Sequence, residues 1–216
     1  MLYPKSAAAR ISERIREIES RKPHPYAAAT YKDIPALREI GEITEGLLRL
    51  SDRGALLDGI IAARYLRDSY ESMWRIAYTA EYDKKLLNLQ ADLFRRFGAR
   101  DGDRRDDYYK ALRARNYYGR DTCEDLRQTA AVFLSEDERG RIEKQIFSDF
   151  HPLKHDPVEL TEAYLSVIDE VERRMDTEEI QKMHGFQRSA LFARLLKEYG
   201  VEWQSMTALN PGVYFD

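Results

Sequence analysis

His151 and His155 stand four residues apart, just ahead of Glu159 and Glu162. Neutral imidazole with carboxylate is a workable ligand set for zinc or a similar divalent ion. Such an ion would activate water for hydrolysis. Pro152 and Pro157 preclude one continuous helix here, so the spacing guarantees no shared face. Asp156-Pro157-Val158-Glu159 also reads as a helix start, with a capping side chain, proline at the first position and glutamate at the third. On that reading Glu159 is occupied by the cap. A structural loop is the simpler expectation, and a metal-assisted hydrolase is the alternative.

A second chemistry resides in Arg104–Arg120. Arg104, Arg105, Lys110, Arg113, Arg115 and Arg120 outnumber Asp106 and Asp107, and Tyr108, Tyr109, Tyr117 and Tyr118 interleave with them. A helix over this stretch turns Tyr108, Ala111 and Leu112 inward and presents Tyr109, Lys110, Arg113 and Tyr117 together outward. Cations neutralise phosphates and aromatic faces stack on bases, so this face is a candidate for single-stranded nucleic acid or a phosphate ligand. The plainer reading is a solvated helix face in an acidic chain.

A third candidate is an aromatic ridge. Tyr70, Trp74, Tyr78 and Tyr82 recur every four residues, beside a stripe of Ala62, Leu66, Ser69, Met73, Ile76, Ala80, Leu87, Ala91 and Phe94. Tyrosine and tryptophan bring large contact area with a polar handle, so the ridge suits either core packing or a protein partner. Arg64, Asp68, Glu71 and Arg75 form a charged stripe opposite the buried face, with spacing for surface ion pairs.

These groups need a scaffold, and the periodicity predicts an all-α one. Residues 55–97 hold no proline and one glycine, Gly59, and read as one long helix or two nearly collinear ones. A peripheral helix with Ile11, Ile15 and Ile18 is expected to end before Pro23, making 1–22 an arm or oligomer contact and 23–216 a single domain. The next helix, capped by Asp33, buries Ile34, Leu37, Ile40, Ile43, Leu47, Leu48 and Leu50. Capping boxes at Asp121/Glu124 and Ser135/Glu138 open two short helices. A further helix starts at Asp156, and another runs from Thr177 to Gly200 with a break expected at Gly185. Val213, Tyr214 and Phe215 are expected to pin the tail. About eight or nine helices result.

Composition restricts the function classes. A net charge of −3 argues against coating of nucleic acid over the whole surface. Cys123 is the sole cysteine, so no intramolecular disulfide forms and a reducing compartment is indicated. No segment approaches a membrane span, and Met1–Ala7 lacks the apolar core of a signal peptide, so the cytoplasm is the expected location. Phosphate loops, dinucleotide turns, HExxH, GxSxG and Glu-x-x-His pairs are missing from the sequence. His24 and His184 stand far from the other two histidines. The chain therefore reads as a non-enzymatic cytoplasmic binding or scaffold protein that associates with a protein partner or itself. No cofactor is implied. Nucleic acid is the lesser partner, and a membrane is not expected.

Overall fold

A computed structural model describes residues 5–24, 27–48, 52–149 and 152–213. Every regular element among them is helical. They are α1 (Lys5–Arg21), α2 (Ile34–Leu48), α3 (Arg53–Ser72), α4 (Ile76–Phe97), α5 (Arg104–Asn116), α6 (Glu124–Ala130), α7 (Glu136–Asp149), α8 (Glu162–Met175), α9 (Glu178–Gln181), α10 (Gly185–Glu198) and α11 (Met206–Leu209). None of these is long and apolar enough to cross a membrane.

The chain divides into two compact units, Met1–Ala114 with Cys123–Phe150, and Arg115–Thr122 with His151–Asp216. In the first unit, α1 to α4 bury Ile18, Leu37, Ile40, Leu47, Leu66 and Tyr70 in one apolar cluster. Ile11 and Ile18 are 5% and 0% exposed, so α1 belongs to the core. Three isoleucines on a narrow stripe suffice because α2 offers a matching face. Gly41 in α2 lets the Tyr82 hydroxyl approach closely, since a Cβ there would sit 2.6 Å from it.

The 55–97 stretch is two helices, interrupted at Met73-Trp74-Arg75. The apolar stripe survives the break: Ala62, Leu66, Ala80, Leu87 and Ala91 are at most 1% exposed. Further along, Tyr108, Ala111 and Leu112 turn inward as expected and join Leu87, Ala91, Leu126 and Phe133. Ser135 and Glu138 form their capping box, with Glu138 N–H to Ser135 Oγ at 3.3 Å and Ser135 N–H to Glu138 Oε2 at 2.8 Å.

In the second unit the helix expected from Asp156 is split. A short 3-10 turn, Pro157–Leu160, ends at Thr161, whose side chain accepts from Tyr164 N–H and caps α8. The break at Gly185 is present: His184 is the N-cap of α10, and its N–H donates to Gln187 Oε1 at 3.3 Å. Asn210 binds Lys154 through both backbone groups, at 2.8 and 2.9 Å, tying the tail to the loop before α8. Tyr214 and Phe215 lie outside the described residues, as do Leu50 and Phe150.

Candidate functional site

The aromatic ridge is resolved into two parts with opposite fates. Tyr70 and Tyr82 are 2% and 8% exposed. Tyr78 and Tyr82 both stack on Tyr70, with ring centroids 4.8 and 5.4 Å away. Burial holds the Tyr70 and Tyr82 hydroxyls well above the ordinary phenol range. These rings are core, and only Trp74 leaves it, at 77% exposure.

Trp74 occupies an unusual backbone position. Its φ is 57°, and it is the only non-glycine described with positive φ. Trp74 N–H donates to Glu71 O at 2.9 Å, and Arg75 N–H to Tyr70 O at 3.0 Å. That pair of bonds closes α3 as a Schellman motif, whose left-handed residue is usually glycine because a Cβ is disfavoured there. The end of α10 shows the usual solution. Gly200, at φ 81°, donates to Lys197 O at 2.9 Å, and Val201 N–H reaches Leu196 O at 3.0 Å. α3 makes the same turn with the bulkiest side chain available, and points it at solvent.

Behind this corner, the charged stripe expected on the surface is only partly there. Asp68 is exposed, but the Arg64 side chain is 17% exposed and enclosed by carboxylates. Arg64 donates to both oxygens of Asp107, the shortest contact being 2.6 Å, and to Asp101. Gln90 Nε2 adds a 2.9 Å bond to Asp107 Oδ2. Deeper in, Arg67 and Asp83 approach at 3.6 Å, both almost wholly buried. Neither Asp83 oxygen has a hydrogen bond, nor do Nε and Nη1 of Arg67, which meets Asp68 at 2.8 Å outside bonding geometry.

Burial pushes the Asp83 carboxyl up to about 8 against the pull of Arg67, with Glu71, Asp107 and Asp68 adding to the rise. The folded state thus holds a proton that an unfolded aspartate releases near pH 4, and each step upward between the two values weakens the fold. We expect the stability of the protein to decline from about pH 5 to pH 8, at no more than about 1.4 kcal/mol per pH unit. Asp83→Asn should flatten that decline in thermal unfolding scans. Parallel slopes for the two proteins would exclude Asp83 as the cause.

The basic-aromatic face does not assemble as expected. Tyr109 and Lys110 are half-buried, while Arg113 is exposed. Lys110 is paired with Asp106 at 3.1 Å and approaches Asp68 at 3.9 Å. Tyr117 lies past the end of α5, in the second unit, with its ring edge-on to His155. Tyr109 instead lines a cleft of about 440 Å³ between α5 and α7, with Arg105, Glu138 and Arg141 among its walls.

For the histidine-carboxylate set, His151 lies outside the described residues and Glu162 is exposed in the first turn of α8. No group of three or more His, Cys, Asp and Glu is placed to hold a metal ion among the described residues. Glu159 does not cap a helix with its side chain either. It is 7% exposed and accepts three bonds: Trp203 Nε1–H at 2.8 Å on Oε1, and the Tyr118 hydroxyl at 3.0 Å and His155 Nδ1 at 3.2 Å on Oε2. Burial and the Glu159 charge together raise the Tyr118 hydroxyl well above the phenol range, so it stays a donor. Phe192 packs edge-on against Trp203 at 4.9 Å, and Asp156 accepts from Gln204 N–H at 2.7 Å. This carboxylate is the knot of the second unit. Its partners, 41 and 44 residues away, carry no periodic signal.

Comparison of the chain with protein-family models, curated proteins and solved structures returns no match.

Proposed function

We propose that the protein is a non-catalytic helical binding protein, and that the corner between α3 and α4 is a contact surface for a protein partner. One observation carries this reading: a tryptophan, three-quarters exposed, stands where the backbone prefers glycine. Strain of this kind persists where a side chain is kept for something other than folding. Exposed tryptophan is among the residues that most often anchor protein interfaces. The stack of buried Tyr70 and Tyr82 with half-buried Tyr78 gives that anchor a rigid base, which limits the ordering needed on binding. A reducing, cytoplasmic setting belongs to the same proposal and rests on Cys123, a free and buried thiol.

The test is a substitution that should improve the fold while erasing the anchor. Trp74→Gly relieves the left-handed strain and leaves both Schellman bonds in place, so we expect a gain of about 0.5–1 kcal/mol, read as a melting point a few degrees higher. A lower melting point would show that Trp74 serves the fold, and the proposal would lose its support. Sedimentation velocity over a wide concentration range then examines a second copy as the partner. Mass that grows with concentration in the natural protein, and not in Trp74→Gly, is the expected sign of self-association.

A further inference from the structure

The second unit presents its own apolar surface, unrelated to Trp74. One face of α10, with Met183 from the connection before it, lines an open groove of about 480 Å³ through Gln187, Ala190, Leu191 and Arg194. Phe186, one residue into α10, is 79% exposed, and Met183 is 38% exposed. An exposed phenylalanine beside an open apolar groove is the usual mark of a docking site.

The charges around it indicate the occupant. Lys182, Arg188 and Arg194 are exposed. None of the three has a carboxylate partner among the described residues. Three other cations of this unit are paired, Arg173 with Glu170 at 2.6 Å, Arg174 with Glu198 at 2.8 Å, and Lys197 with Glu202 at 3.1 Å. Arg194 on the groove wall, with Lys182 and Arg188 next in the chain to the lining residues Met183 and Gln187, complements a ligand that is apolar on one side and acidic on its edges.

We infer that this groove binds an acidic amphipathic helix of a partner protein. Apolar side chains of that helix, repeating every three to four residues, fill the groove against Met183, Ala190 and Leu191, and Phe186 covers them from one side. Its flanking carboxylates pair with Lys182, Arg188 and Arg194, the arginines offering two-point contacts.

Fluorescence anisotropy tests this with a labelled synthetic helix of about 18 residues, leucine on one face and glutamate elsewhere. The control is a peptide of the same composition with leucines scattered around the axis. The full-length protein should bind the amphipathic peptide at least about tenfold more tightly than the scattered one, and added salt should weaken binding. Phe186→Asp, and separately the double variant Arg188→Glu with Arg194→Glu, should each reduce affinity at least about tenfold. Circular dichroism melts of both variants should overlay the parent, since all three side chains are exposed. Trp74→Gly should bind as the parent does, so this inference and the Trp74 proposal fail independently. Equal affinity for the scattered peptide, no binding, or indifference to Phe186→Asp would overturn it. So would tighter association with vesicles of equimolar phosphatidylserine and phosphatidylcholine than with the peptide.

Discussion

Asp107→Ala is expected to lower the melting point of the protein by roughly 10 °C. Asp107 is 1% exposed and is the more deeply buried of the two carboxylates, Asp101 being the other, that receive both Arg64 of α3 and Gln90 of α4. Arg64 from α3 spans both of its oxygens, Gln90 from α4 donates to Oδ2, and Arg67 lies 4.0 Å away. Removing one partner of a buried ion pair strands the other in a low dielectric, at a cost of about 3–5 kcal/mol. Arg64 would keep Asp101 and the exposed Asp103, while Arg67 would keep Asp83 and the exposed Asp68. Asp107→Asn keeps the shape and one acceptor, so about half of the loss should return. Differential scanning calorimetry distinguishes the cases, and an alanine variant melting within a degree or two of the parent would mean the cage contributes nothing net.

Glu159→Ala should be almost as damaging to the second unit. Three donors converge on this side chain from three separated stretches of chain, and truncation leaves Trp203 Nε1–H, the Tyr118 hydroxyl and His155 facing nothing. A buried donor without a partner costs about 1–3 kcal/mol; Tyr118 is buried and the other two donors are half-buried, so a combined loss of about 3 kcal/mol is expected. Amide hydrogen exchange across 201–213 and 115–122 should accelerate by two orders of magnitude or more, which corresponds to about 2.7 kcal/mol. Trp203 emission should shift to the red, while Trp74, already exposed, should not change. Glu159→Gln should restore much of the protection, because its oxygen still accepts from Trp203 and its amide can donate to the Tyr118 oxygen. Unaltered exchange in the alanine variant would reduce Glu159 to a bystander.

Local signals read from the residues held wherever burial and capping were local. The stripe from Ala62 to Ala91, the inward Tyr108, Ala111 and Leu112, the Ser135/Glu138 box and the break before Gly185 are each decided within a turn or two of helix. The interruption at Trp74 was not legible, because no glycine or proline marks it and the residue there resists the conformation it adopts. Arg64 reads as a surface cation by its place on the wheel, yet its partners come from 37 and 43 residues further on. Glu159 fits a helix-start pattern so well that the pattern obscured its actual partners. Thr161, two residues later, takes over the capping and frees the carboxylate for a distant task. Periodicity reports which side of a helix is apolar; it does not report which polar group from elsewhere will arrive there.

The order in which the chain visits its two units has a consequence for synthesis. Arg115–Thr122 belong to the second unit, although the stretches before and after them belong to the first. A ribosome therefore releases Tyr118 well before Glu159, and the emerging polypeptide must carry that stretch unanchored while α6 and α7 close the first unit. A stop codon at position 151 would leave the first unit with all of its own chain and strand the insertion. No single scission of the gene yields two fragments that each contain one unit and nothing of the other.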